Sequence, residues 1–415
     1  MCAGLRVAPE LLLRSDRSRA CGGLDTGVPV VVLWASRFPL QHSCLGAFRT
    51  LGRAGVEVYA VVGDRRAPVA RSRYCKGQIL WEPDRGDTDA DLIQRLLELG
   101  TRLGRRSLIV CTADVMAVLV AENRAALEQH FLLPDVAEHL PFQLSDKLVL
   151  AGFVSEHGFI GPSAAFVNSM AELKAVMEEL PVPVVVKSTA LRGQVQSVEN
   201  TTIVGSRDEL LNLARGWREP FATLIQEYIP DEVSEDWFTH GYCDSTGTAR
   251  VVFTGRKVRC WPVRGGSTAA AFGARNPELA ELASRFCAAV GYRGIFDIDW
   301  RLDRRSGAYN LLDFNPRVGA QFRVFENDAG IDVVRAMHLD LSGRPIPSGN
   351  QIEGERFVVE PWDAASLLAN PHQPWTGGVG RPRVAWWAND DPAPIFGAGL
   401  RQAARSVRAR VPLPR

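Results

Sequence analysis

Apolar and polar positions follow two rhythms along this chain, and the change of rhythm divides it. The unbroken apolar run "PVVVLWA" (29–35) predicts a buried strand, "LGAFRTLGRAG" (45–55) has helical spacing with a glycine stop, and "VEVYAVVG" (56–63) predicts a second strand. That is a β-α-β unit of a parallel sheet. "SLIVCTAD" (107–114) predicts another strand with a polar end, and "MAVLVAENRAALEQHF" a single helix after it. Sheets of this kind hold ligands beyond the carboxyl ends of their strands, which directs Ser36, Thr112 and Asp114 toward a cleft. Their residue types suit turns and helix caps equally well.

The rhythm changes after "PFQLSDKLVLAGFVSEHG" (141–158). "PVPVVVKS" (181–188), "GSRDELLNLARGW" (205–217) and "FATLIQEYI" (221–229) predict strand, helix and strand. From residue 236 strands come closer together and alternate as antiparallel sheets do, in "ARVVFTGRKVRCWPV", "GIFDIDWRL" and "AYNLLDFN". Between them, "NPELAELASRFCAAVG" (276–291) is a helix with Asn276 as N-cap and Pro277 in its first turn. "RGGSTAAAFGARN" (264–276) predicts a loop suited to close approach of an anion. The order is α/β, then α+β, with expected divisions at 1–27 (a loosely ordered extension), 28–140, 141–230, 231–345 and 346–415. The last of these is a Trp/Pro-rich region ending in a basic, solvated helix.

Composition narrows the function. A chain of 415 residues, 46% hydrophobic and 23% charged, holds two or three globular cores. Its 48 Lys and Arg against 47 Asp and Glu leave +1, so no global field favours nucleic acid or an anionic membrane. Runs such as "PVVVLWA" and "MAVLV" fall short of the ~20 residues of a membrane span, and the first residues lack a secretory h-region, so a cytoplasmic protein is expected. Eight scattered cysteines include no C-x-x-C pair, and seven histidines offer no Ser-His-Asp or Cys-His constellation.

The candidate chemistry lies in "GIFDIDWRL" and "LLDFNPR". Asp313 and Asn315 are two apart on a strand and share a face, as do Asp297 and Asp299, and a hairpin turn at "DRRSG" sets Asp299 level with Asp313. Two carboxylates and an amide oxygen suit Mg²⁺ with open positions for phosphate, although such acids also line solvated sheet faces. Pro316 ends the strand and aims Arg317 back over that face, where it would neutralise charge in phosphoryl transfer. Lys187 carries one ammonium into an apolar strand, and the polar stretch after it resembles a flap, yet neither G-x-x-x-x-G-K-[ST] nor G-x-G-x-x-G is present. "LIQEYIP" (224–230) could lie along an adenine ring.

In this order, "SDK" (145–147), "VVVKS" (184–188), "IQEYIP" (225–230), "GRKVR" (255–259), "GIFDID" (294–299) and "LLDFNPR" (311–317) resemble the ATP-grasp superfamily of carboxylate-amine ligases, which includes D-alanine:D-alanine ligase and D-aspartate ligase. The resemblance implies an ATP-grasp architecture: an N-terminal parallel α/β domain and two α+β subdomains enclosing the nucleotide. It implies that Lys147, Lys187 and Lys257 contact ATP phosphates under a loop containing Ser188, Arg192 and Gly193. Glu227, Tyr228 and Ile229 would form the adenine hinge, with Glu235 or Asp236 on the ribose. Arg259 and Arg317 would steady the acyl phosphate or substrate carboxylate, and Asp299, Asp313 and Asn315 would hold Mg²⁺ or Mn²⁺. The implied activity is ATP-dependent amide formation through an acyl phosphate between a small carboxylate and an amine, an amino acid or short peptide among them, with a homodimer as the candidate assembly; phosphorylation or carboxylation on the same scaffold, or a non-catalytic nucleotide-binding regulator, are the alternatives. Many relatives carry Glu where Asp313 stands, so the number of metals stays open.

Overall fold

Three sheets organise the described part of the chain; the computed structural model describes residues 23–33, 42–65, 67–188, 201–263 and 265–398. In the first, β1 (Val30–Leu33), β2 (Val58–Val62), β3 (Cys75–Leu80), β4 (Ser107–Cys111) and β5 (Phe131–Leu132) lie in the order β3-β2-β1-β4-β5, all parallel. All four residues of β1 are fully buried, as apolar runs covered by helices on both faces must be. The order reverses between β1 and β4, which puts the crevice at their carboxyl ends. The single helix predicted after β4 is two, Asp114–Glu122 and Arg124–Leu127. Asn123 separates them, its amide bonded back to the Leu119 carbonyl at 2.9 Å in competition with the helix.

The second sheet is antiparallel: β6 (Ala164–Val167), β7 (Val184–Ser188), β8 (Thr202–Val204) and β9 (Thr223–Glu227), ordered β6-β9-β7-β8. Val184, Val186 and Ile225 pack with Leu173, Met177 and Leu210 of the helices Met170–Glu179 and Arg207–Ala214. Strict alternation therefore turns Lys187 to the opposite face.

The third sheet runs β14-β13-β10-β11-β12-β15-β16, with β10 (Ser234–Cys243), β11 (Ala249–Trp261), β12 (Ser267–Gly273), β13 (Gly294–Asp303), β14 (Ala308–Asn315), β15 (Glu355–Val358) and β16 (Val379–Val384). One face, with Ile298, Trp300, Leu311 and Phe314, packs on Phe286 and neighbouring helices. The stretch 264–276, expected as a loop suited to an anion, is largely β12. Ala269, Ala270 and Ala271 are fully buried, with Ala270 packing beside Phe272 and Val358 and Ala271 in the cluster that contains Phe253, Phe325 and Phe357. Alanine satisfies a strand crowded on both faces, and flanking glycines disguised it as a loop.

The predicted divisions at 140 and 345 do not separate cores, because one cluster joins Val30 and Phe48 to Phe238, Phe325, Val333 and Trp386. The C-terminal region adds β15 and β16 to the third sheet, and its Asp391 pairs with buried Arg49 at 3.0 Å. At the other end, Leu24 is buried and Asp25 pairs with Arg344 at 3.2 Å, so these two residues of the expected extension are held against the fold. Ser36 and the basic tail lie outside the described residues. Among the described residues no helix is long and apolar enough to cross a membrane.

Candidate active site

The site is built on an irregularity in the β13–β14 hairpin. Asp297 faces Asn315, Asp299 faces Asp313 and Trp300 faces Leu311, leaving Leu312 without a partner in the register. That extra residue is a β-bulge, and it resolves a conflict in the sequence. Leu311 and Phe314 are three apart yet both pack with Ile298 and Trp300, which unbroken alternation forbids. The bulge between them lets both apolar side chains enter the core while Asp313 and Asn315 join Asp297 and Asp299 on the cleft face. The freed Leu312 carbonyl lies 3.5 Å from Lys187 Nζ.

Three lysines from three elements converge on these acids. Asp146 caps the helix Lys147–Glu156 by accepting from the amides of Leu148 and Val149 at 2.9 and 3.0 Å, which sets Lys147 at the first helical position. Lys147 Nζ lies 2.6 Å from Asp313 Oδ1, Lys187 Nζ 3.4 Å from Asp313 Oδ2, and Lys257 Nζ 2.8 Å from Asp299 Oδ1. Burial alone would raise the Asp313 carboxyl, but Lys147 and Lys187 outweigh it and hold the group well below the usual carboxylate range. Burial raises Asp299, against the opposing pull of Lys257. Burial also depresses Lys187, although Asp313 favours its charge, whereas Asp313 keeps Lys147 raised despite burial.

A pH dependence follows. Because Asp313 titrates lower in the folded chain, its contribution to stability is complete above the ordinary carboxylate value near ~4 and is lost as pH falls below it. The urea midpoint of the nucleotide-free protein should drop between about pH 5 and pH 2, and Asp313→Asn should flatten that drop. Equal slopes in the two proteins would contradict the charge balance described.

Arg317 sits between two of the sheets. Its Nη1 donates to Asp297 Oδ2 at 2.8 Å and its Nε lies 3.3 Å from Asp114 Oδ1, just past the end of β4. The next residue reinforces the junction, since the Val318 amide donates to the Cys111 carbonyl at 3.1 Å. Thr112, by contrast, turns inward to the Leu33 carbonyl at 2.9 Å. Beneath Arg317, Asp297 lies 3.1 Å from Nε2 of fully buried His240. Gly319 makes that approach feasible, because a Cβ there would come within 2.1 Å of His240 Cε1. Gly319→Ala should destabilise the fold by about 1–3 kcal/mol and reduce turnover through displaced Asp297 and Arg317, read by urea denaturation beside a turnover assay.

Two expected residues stand elsewhere. Lys257 pairs with Ala271 but Arg259 with Ala270, so a second bulge at Val258 reverses the alternation and sends Arg259 to the opposite face. There it binds Asp363 at 2.6 Å and the Gln373 carbonyl at 3.1 Å, its guanidinium 5.0 Å from the Trp375 ring centre. Glu235 also faces away from the cleft, 3.2 Å from Arg256 and accepting from Trp237 Nε1 at 3.1 Å. Of the two acids offered for ribose, Asp236 lies on the cleft face, 2.6 Å from Arg301.

Arg301 itself escaped the sequence reading. It donates to the Ile229 carbonyl at 2.6 and 2.8 Å, pairs with Asp231 at 2.6 Å, and holds its guanidinium 5.4 Å from the Tyr228 ring centre. One side chain thus fixes the segment after Glu227, whose amide donates to the Ser163 carbonyl at 2.8 Å. The available signal was parity, since Arg301 follows Asp297 and Asp299 on one face of β13. Ser188 ends β7, its side chain outside the described residues, as are Arg192 and Gly193.

Among the described residues no three Asp, Glu, His or Cys side chains form a ready-made metal cluster. The donor set nevertheless fits a hard divalent cation: Asp299 faces Asp313, each already carries an ammonium as counter-charge, and Asn315 donates its amide to the Asp297 carbonyl at 3.2 Å, leaving its side-chain oxygen an acceptor.

No family model matches the chain. It is 22% identical over 273 residues to the D-aspartate ligase of Enterococcus faecium (strain Aus0004), covering 63% of this chain and 65% of that one, just under two thirds of the relative's length. Among solved structures, N5-carboxyaminoimidazole synthetase from Staphylococcus aureus complexed with ADP superposes with a TM-score of 0.60 at 14% identity, over 84% of this chain and 86% of that one. The chain has the ATP-grasp fold. The L-amino acid ligase of Bacillus licheniformis shares it, with a TM-score of 0.59 at 14% identity over 79% of this chain and 78% of that one. In ATP-grasp terms, the second and third sheets are the two subdomains, and the acids and lysines lie in the cleft between them.

Proposed function

We propose that this chain is an ATP-dependent ligase that joins a small carboxylate to an amine. The observation that carries the reading is the convergence of Lys147, Lys187 and Lys257 on the facing pair Asp299 and Asp313, with Arg317 beside them. Such a site holds together two anions that would otherwise repel, a triphosphate and a carboxylate. Lys147, Lys187 and Lys257 bind phosphates, Asp236 the ribose, and the Glu227–Ile229 segment the adenine. Asp299, Asp313 and Asn315 would hold Mg²⁺ or Mn²⁺, which supplies further charge neutralisation when bound.

The carboxylate oxygen attacks the γ-phosphorus, the bond to ADP breaks, and Arg317 steadies the acyl phosphate. The amine nitrogen then attacks the acyl carbon, phosphate leaves, and the amine releases its proton to solvent. No side-chain nucleophile takes part. The relatives named as D-aspartate ligase and L-amino acid ligase support this reading. The neighbour named as a carboxyaminoimidazole synthetase favours a second one, carboxylation through carboxyphosphate.

Product mass separates the two. With ATP, Mg²⁺ and pooled amino and carboxylic acids, the ligase yields ADP, phosphate and a new amide in equal amounts. Bicarbonate-dependent ADP with a carbamate product would replace this reading by the second, and substrate-dependent ADP without an amide would end it.

A further inference from the structure

Arg317 borders a second space besides the acid and lysine cluster. A cavity of about 60 Å³ lies between the first sheet and the start of β13. Its walls are mostly aliphatic, with Ile109 from β4, Ala117 and Val120 from the following helix, Leu133, and Met337 from the helix Val333–Leu341. The charged residues lining it are all arginines, Arg124, Arg293 and Arg317, and no acid or lysine joins them among the described residues. Two of the three are engaged with Asp135: Arg124 lies 3.3 Å from its carboxylate and Arg293 donates to its backbone carbonyl at 3.0 Å. Arg317 uses Nη1 and Nε on Asp297, Val318 and Asp114, which leaves Nη2 without a partner among the described residues.

We infer that this cavity receives the hydrocarbon tail of an aliphatic monocarboxylate whose carboxylate group lies against Arg317. The inference rests on the ligase reading and names the acid that it would activate. Aliphatic walls favour hydrocarbon, and an acid-free, arginine-only set of charges rejects ammonium groups while tolerating a carboxylate. By proportion with the ~150 Å³ that takes benzene, a space of this volume holds about two to four carbon atoms. A side chain bearing a second charge gains nothing from such walls, so aspartate is expected to bind poorly.

Calorimetric titration of the nucleotide-free protein with acetate, propionate, butyrate, isovalerate and aspartate tests this without requiring turnover. Affinity should rise about fourfold per added methylene as far as isovalerate. Ala117→Leu, which fills the cavity, should weaken isovalerate at least tenfold and leave acetate unchanged. Met337→Ala, which enlarges it, should move the optimum to a longer chain. Neither residue belongs to the reaction cluster, so ADP binding should persist in both and verifies that they fold. No dependence on chain length, or aspartate binding more tightly than isovalerate, overturns the inference. Chain-length dependence with no ADP formed under any acid would instead end the ligase reading and leave the cavity assignment standing.

Discussion

Asp313→Asn is expected to lower Mg²⁺-dependent ATP turnover by about 10²–10³-fold, the range seen when one preorganised electrostatic group is lost from a reacting centre. The same change should destabilise the nucleotide-free fold by about 1–3 kcal/mol, since the Lys187 side chain is only 6% exposed and Asp313 is the carboxylate it pairs with in the structure. A third consequence has the opposite sign. In the free protein Asp313 holds Lys147 and Lys187 at 2.6 and 3.4 Å, so a metal-free nucleotide must compete with it for both ammonium groups. Removing that charge should strengthen ATP binding in the presence of a chelator while turnover collapses. Calorimetry with and without Mg²⁺, beside a phosphate-release assay, reads both arms. Unchanged turnover would remove Asp313 from the metal set, and weaker chelator-state binding would contradict the competition.

Parity along strands made much of this cleft legible in advance. "GIFDIDWRL" and "LLDFNPR" alternate, and the structure sets Asp299 opposite Asp313 as the spacing between them suggested. The same rule failed at "GRKVR". Lys257 and Arg259 look like neighbours on one face, but Val258 occupies a bulge and Arg259 ends beside Asp363. Nothing local announces that bulge, because it depends on how β11 meets β12 and on a C-terminal helix a hundred residues later. The bulge at Leu312 did leave a trace, two apolar residues three apart in a strand otherwise reading in twos. The misread β12 shows the limit of composition: its alanines are small because two clusters press on them, a fact of tertiary packing. Contacts such as Arg301 with Ile229 and Arg317 with Asp114 join segments far apart in sequence, and parity alone could show only that each cation faces the cleft.

Arg317→Lys should be nearly as damaging as Arg317→Ala, and the reason lies in the geometry of its contacts. The guanidinium spans Asp297 at 2.8 Å and Asp114 at 3.3 Å from different nitrogens, one acid in the third sheet and one just after the first. An ammonium is a point charge on a flexible stem and cannot keep both distances while presenting a further donor to an acyl phosphate. Asp297 is also held low, because His240 and Arg317 outweigh the burial that would raise it, so losing the guanidinium leaves a buried anion with reduced compensation. We expect turnover to fall about 10²–10³-fold in either variant. Stability should fall by about 2–4 kcal/mol in Arg317→Ala, somewhat less in Arg317→Lys. The decisive comparison is Arg317→Ala with Asp297→Asn and Arg317→Ala combined. If Asp297 is destabilising only once its partner is gone, the double variant should recover stability but not turnover. Recovery of both would mean that Arg317 serves the fold alone, and recovery of neither would show that the acid was not left uncompensated.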